Sequence, residues 1–237
     1  MRGEASASPR GVHCGHLALV GRNGNTTVMP RRPRLEAAGA LHHVVAQAAD
    51  GSRIVADDAD RLRLLDGLRT VVHECGWLCV AYCVLDSHTH LVVCTPEPNL
   101  GQGMKLLLGR YSTTYNRRLG RRGYVFRRPF WSRRIDRPHH LLCAALYTVL
   151  NPVAAGICQH PQLFPWSSYV ETAGSAPPSG LLAPELLLRT FDEEPDAARR
   201  VYRELVDDAV VRLGRRRSAE AWWRSVERAA AETRGRG

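Results

Sequence analysis

Along the middle of the chain the apolar positions alternate between short β-type runs and helical stripes. Residues 40–46 (ALHHVVA) are a short, partly β-branched apolar run that predicts a first strand. The segment "DDADRLRLLDGLRTVVHECG" (57–76) opens on acidic N-cap candidates and carries Leu62, Leu65, Leu68, Val71 and Val72 at helical spacing, with Gly76 as its stop. Residues 77–85 alternate, which predicts a strand with Leu78, Val80, Tyr82 and Val84 on one face. Asp86-Ser87 make a tight connection, and 88–95 reads as the hairpin partner. A second helix follows over 99–120, weakened by Gly101 and Gly103 and closed at Gly120. Residues 121–130 form a basic, aromatic loop, and 131–135 a fourth strand. Pro138 suits the first turn of a third helix, which Pro152 is expected to terminate.

The order β-α-β-β-α-β-α predicts an α+β fold: a ferredoxin-like, RRM-like antiparallel sheet with helices on one face and one added helix. Residues 1–28 carry little pattern, and "MPRRPRLEAAGALHHVVAQ" from Met29 reads as the natural start of the protein. The expected organisation is a poorly patterned extension (1–28), a globular domain (29–172), a linker around "SAPPSG" (173–183), and a helical C-terminal extension (184–237) with amphipathic helices at 195–213 and 218–233.

Composition narrows the class. At 44% hydrophobic and 24% charged, with no apolar run near the ~18 residues of a membrane span, the chain reads as soluble and without a membrane partner. No export signal is legible, so a cytoplasmic location with reduced thiols is expected, and Cys75, Cys79, Cys83 and Cys143 lie in apolar segments as small core residues. The net charge is +10, and its distribution matters more than its size. No acidic residue occurs between Glu97 and Asp136, whereas that interval holds Lys105, Arg110, Arg117, Arg118, Arg121, Arg122, Arg127, Arg128, Arg133 and Arg134. Those ten cations equal the whole excess. Such a stripe points to contact with a phosphate backbone, most of all through Arg117, Arg118, Arg121 and Arg122. Tyr111, Tyr115, Tyr124, Phe126, Phe130 and Trp131 interleave with it and could stack unpaired bases or pack between helix and sheet; Asn116 joins the nucleic-acid candidates.

Two small constellations carry chemistry. His88 and His90 lie two apart on a strand, so both imidazoles face one way, as metal ligands or as strand residues. Tyr147 and Asn151 are four apart on a helix and share a face, as a functional pair or as a core tyrosine with a capping asparagine. The adjacent pairs His42-His43 and His139-His140 are weaker candidates, because neighbouring residues on a strand face opposite ways and on a helix diverge by ~100°.

Taken together, "HTHLVV" (88–93), "YTVLNPVAAG" (147–156), "PRRPRLEAAGALHHV", "ADDADRLRLLDGL", "GRYSTTYNRRLGRRGYVF" and "FPWSSY" resemble, in order, the REP-associated tyrosine transposases of the HUH single-tyrosine class. The resemblance spans about 29–169. It implies that His88, His90 and Asn151 are ligands of Mg²⁺ or Mn²⁺ and that Tyr147 is the nucleophile. The activity implied is nicking and joining of hairpin-bearing single-stranded DNA through a 5′-phosphotyrosine, in DNA transposition or recombination. Its setting would be the nucleoid, and its partners DNA and, in some arrangements, a second copy. The chemistry suits the residues: a phenol with a free pKa of about 10 is a weak nucleophile that needs a polarised phosphate. The chain departs from the family at Thr89, where the residue between the histidines is usually hydrophobic, at Asp86-Ser87 in place of Pro-Asn, and at 46–51 in place of an Arg-Gly-Asn segment. Asp86 could approach the metal or close the turn. A retired transposase acting as a DNA-binding regulator is the alternative; an RNA-binding module is disfavoured by the absence of an aromatic RNP pattern.

Overall fold

The computed structural model describes residues 36–127 and 130–214. The N-terminal extension, Arg128 and the expected helix at 218–233 lie outside the described residues.

Four strands, β1 (Ala40–Gln47), β2 (Leu78–Val84), β3 (His88–Thr95) and β4 (Trp131–Ile135), form one antiparallel sheet in the order β2-β3-β1-β4. Helices α1 (Asp58–Cys75) and α2 (Leu100–Arg118) cover one face, burying Leu64, Leu68, Met104 and Leu107 against Val44, Tyr82, Leu91 and Val93. Helix α3 (Pro138–Ala154) lies on the opposite face, where Leu146, Val149 and Leu150 pack with Val80, Ala81 and Val92. This is the expected α+β arrangement with an added helix. No helix among the described residues is long and apolar enough to cross a membrane. The cysteines at 75, 79, 83, 94, 143 and 158 are free thiols, three of them buried.

Several elements differ from the simple periodicities. The stripe of α1 is rotated: Leu64, Leu68 and Val71 are buried, whereas Leu62 is 54% exposed. The stripe's first position is held by a charged residue, the fully buried Asp60, which Arg118 reaches from the end of α2. Hydrophobicity cannot assign that position. In β2 the register shifts between Cys79 and Ala81, so the alternation expected for Leu78–Val84 breaks. The bulge turns Val80 and Ala81 toward α3, while Cys79, Tyr82 and Val84 face α1 and α2. Helix α3 also runs through Pro152 to Ala154 instead of ending there. Pro152 has no N–H to donate and its ring crowds the carbonyl one turn back, but the helix runs on for only two residues, its end closed by Ala155 N–H donating to the Asn151 carbonyl at 2.9 Å before Gly156 takes φ +71°.

The 173–183 stretch, expected as a linker, is anchored by buried Leu181 and by Ala183 N–H donating to the Cys79 carbonyl at 2.7 Å. Behind it α4 (Tyr169–Thr172), α5 (Glu185–Leu188) and α6 (Pro195–Gly214) pack in the same core as α3, through Tyr169, Leu187, Tyr202 and Val206.

The two α2 glycines that weaken the helix by propensity have a packing reason. The N–H of Gly101 donates to Glu36 Oε1 at 2.8 Å. At Gly103 a Cβ would stand 2.2 Å from the buried Trp77 ring, whose Nε1 donates to Asn99 Oδ1 at 2.7 Å. Gly103→Ala is therefore expected to destabilise the fold by about 1–3 kcal/mol despite better helix propensity. Urea unfolding measures it; a variant as stable as the parent would contradict the packing assigned to Trp77.

Candidate active site between the sheet and helix α3

The two histidines of β3 and the tyrosine–asparagine pair of α3 meet. On β3, His88 stands opposite Gln47 and His90 opposite Val45, both rings on the α3 face. Because Tyr147 and Asn151 are one helical turn apart, α3 presents both to these rings. The Asn151 carboxamide contacts both imidazoles: Oδ1 lies 3.3 Å from His88 Nε2, and Nδ2 lies 3.1 Å from His90 Nε2. The Tyr147 ring stands edge-on to His90, centroids 5.2 Å apart. His90 and Asn151 are buried, while His88 and Tyr147 are partly accessible.

A residue read as a weak candidate belongs to this cluster. His43 of β1 places Nε2 3.2 Å from His90 Nδ1, its ring nearly parallel to that of His90 (21°), and meets the edges of Tyr147 and Trp131 at 5.7 and 5.5 Å. Its neighbour His42 faces away, as strand alternation requires, but only the β1–β3 register reveals that His43 sits diagonally from His90. That register is a tertiary fact with no local sequence signal.

The donor chemistry suits a divalent cation. Ligands held 2.0–2.1 Å from one ion stand about 3.0 Å apart at octahedral angles and about 3.4 Å apart at tetrahedral ones. The 3.3 Å between His88 Nε2 and Asn151 Oδ1, the carboxamide atom able to ligate, falls in that interval. Among the described residues no cluster of three or more His, Cys, Asp or Glu could hold a metal ion, so an ion here depends on Asn151 as its third protein ligand. Asp86 is not a fourth: Arg61 and Arg53 bind its carboxylate, the latter at 3.5 Å, and its backbone carbonyl accepts from Ile54 N–H at 2.7 Å. It secures the turn before His88. Thr89 points to the other face and donates to the Cys83 carbonyl at 3.1 Å, so a polar residue there is satisfied without disturbing its neighbours.

The basic stripe divides. Tyr115, expected at the nucleic-acid surface, is buried, stacked with Tyr111, and donates to the Arg53 carbonyl at 3.2 Å. Its aromatic ring is core because α2 turns it toward the sheet. Arg118 is engaged by Asp57 at 2.8 Å and by Asp60, Arg110 by Glu74 at 3.3 Å, and Arg134 by Asp136 at 2.5 Å. Asn116 clips the following loop, its Nδ2 donating to the Gly123 carbonyl at 2.8 Å. Arg117, Arg121, Arg122, Arg127 and Arg133 have exposed side chains; the Arg121 guanidinium stands 5.6 Å over the Tyr115 ring. Arg127 N–H donates to the Gln47 carbonyl at 2.7 Å, and Gln47 pairs with His88, so Arg127 enters at the same end of the sheet as the candidate ligands. Arg133 stands opposite His43. Tyr124 (71% exposed) and Trp131 (43%) are the stripe's accessible aromatic rings.

No protein-family model matches the chain, and no curated protein does. Among solved structures, the fold is similar to that of a REP-associated tyrosine transposase bound to a REP hairpin, with a TM-score of 0.54 and 17% identity, covering 63% of this chain and 89% of that one. At that identity the likeness is one of fold.

Burial holds the site histidines neutral. It lowers His43 to about 4, with the Arg133 charge adding to the effect, lowers His88, and puts His90 well below its ordinary value, assisted by its two imidazole neighbours. The unfolded chain, titrating near 6.5, therefore takes up protons before the folded one does. The histidines' contribution to stability should be level above about pH 6.5 and fall as the pH drops toward 4, His43 alone accounting for on the order of 3 kcal/mol. Melting curves in EDTA across that range check this; His43→Gln should flatten the slope, and an unchanged slope would contradict the assignment.

Proposed function

We propose that this protein is a metal-dependent, single-strand-specific DNA nicking and joining enzyme of the tyrosine transposase kind. The observation that carries the reading is the meeting of Tyr147 with His88, His90 and Asn151, drawn from two elements about sixty residues apart in sequence. A divalent ion, Mg²⁺ or Mn²⁺, held by those three side chains would supply Lewis-acid polarisation of a scissile phosphate. Tyr147 then serves as nucleophile: its oxygen bonds to phosphorus, the phenolic proton departs, and the 3′-oxygen leaves with a proton as a free hydroxyl. The 5′-phosphotyrosine keeps a phosphoester bond, so attack by a 3′-hydroxyl reverses the step and joins strands without a nucleotide cofactor. Tyr147 stands edge-on to His90 of its own chain at 5.2 Å, so the proposed site takes its tyrosine from the same copy as its ligands.

The substrate proposed is hairpin-bearing single-stranded DNA, encountered in the nucleoid. The exposed Arg117, Arg121, Arg122, Arg127 and Arg133 support it as phosphate contacts, and Tyr124 and Trp131 as stacking surfaces. Arg110, Arg118 and Arg134 carry an acidic partner already and contribute less.

Incubation with labelled hairpin oligonucleotides and Mn²⁺, followed by a denaturing gel, tests the reading. A covalent adduct is expected that vanishes with Tyr147→Phe, with His88→Ala and with EDTA. Retained hairpin binding without an adduct across a broad panel would favour a DNA-binding regulator. In the same series, Arg117→Gln, Arg121→Gln and Arg122→Gln should each weaken binding and reduce the logarithmic salt slope by about one. Arg118→Gln should instead lower the melting temperature, because it takes a guanidinium from the fully buried Asp60 and leaves it only Arg63 at 3.4 Å and the Ala56 N–H at 2.9 Å.

A further inference from the structure

The groups around the candidate ligands form a hydrogen-bond chain that runs in one sense. Asn151 Nδ2 donates to His90 Nε2 at 3.1 Å, so that nitrogen carries a lone pair and the ring hydrogen sits on Nδ1. Nδ1 faces His43 Nε2 at 3.2 Å. Only one hydrogen fits between two imidazole nitrogens at that distance, and it belongs to His90, so His43 accepts it.

We propose that His43 is a positioning residue that holds His90 in the Nδ1–H tautomer, with the Nε2 lone pair aimed at the metal position. The inference rests on the preceding reading of His88, His90 and Asn151 as ligands. His43 suits the task by place as well as chemistry. It is 5% exposed on a central strand, its ring lies nearly parallel to His90 (21°, centroids 5.4 Å), and Trp131 and Tyr147 meet it edge-on. The other ligand is held differently. His88 Nε2 donates to Asn151 Oδ1, and its Nδ1 accepts from the Ser87 hydroxyl at 2.9 Å. For His88 to ligate through Nε2, its hydrogen must move to Nδ1, and a hydroxyl can accept there as readily as it donates. One imidazole is thus preset and the other adjustable, with His43 responsible for the preset one. Partners of this kind change metal affinity without touching the ion.

The test is Mn²⁺ binding to the full chain without DNA, by calorimetry and by electron paramagnetic resonance of free Mn²⁺. His43→Leu, which cannot accept the bond, should weaken Mn²⁺ about 10–100-fold. His43→Gln, whose Oε1 can accept it, should stay within about threefold of the parent. Equal affinity for parent and His43→Leu, with His88→Ala abolishing binding, would overturn the role of His43 and leave the ligand set standing. Absence of any His88-dependent binding by the parent would overturn both. Should His43→Leu fail to fold, a long-range ¹H–¹⁵N spectrum of the metal-free parent decides directly. His90 as the Nδ1–H tautomer is the expected result, and Nε2–H sinks the proposal.

Discussion

A single carboxamide that touches two imidazoles is the contact on which the site depends. Asn151 bridges His88 and His90 only if α3 lies across the sheet at one angle and one height, since a shift of a single residue would turn the amide away. That placement is secured from both sides. Below, the bulge in β2 sets two successive small apolar residues, Val80 and Ala81, under Val149 and Leu150. Above, α6 packs against α3, the core of that layer extending through Tyr202 and Val206. The C-terminal helices are thus part of the site's foundation, and His160 near the end of α3 ties to Asp207 of α6 at 3.0 Å.

The elements, and the shared faces of His88 with His90 and of Tyr147 with Asn151, were legible because each rests on a local period: two for the strand, four for the helix face. That the two pairs belong to one site was implied only by the family resemblance. What escaped was whatever depends on register or on a partner from elsewhere. His43 looked unremarkable because strand alternation says only that it faces away from His42, not that His90 lies diagonally across. Tyr115 and Arg118 read as surface residues from a basic context. Their fates were decided by the rotation of α2 and by carboxylates at the start of α1, sixty residues earlier. Asp60 shows the same limit from the other side: a buried charge cannot be recognised until its partner is known.

An acid-free stretch of sequence is also not an acid-free surface. Asp57 and Asp60 meet Arg118, and Glu74 meets Arg110. The field that remains is concentrated on the loop after α2, beside β4, and near the end of the sheet where His88 lies. This is a smaller and more directional patch than the stripe suggested, and a patch of that kind guides a polyanion toward one edge of the molecule.

The outer edge of β2 is closed by segments that come much later in the chain. Val84 N–H donates to the Trp166 carbonyl, Tyr82 accepts from Ser168 N–H, and the Cys79 carbonyl accepts from Ala183 N–H. During synthesis, β1 to β4 can pair well before these segments emerge, yet until residue 183 has left the ribosome the sheet carries an open strand edge. Such an edge is a template for another chain. Completion of this protein is therefore a race between its own tail and any neighbouring strand, and the tail has about a hundred residues of delay built in by the order of the sequence.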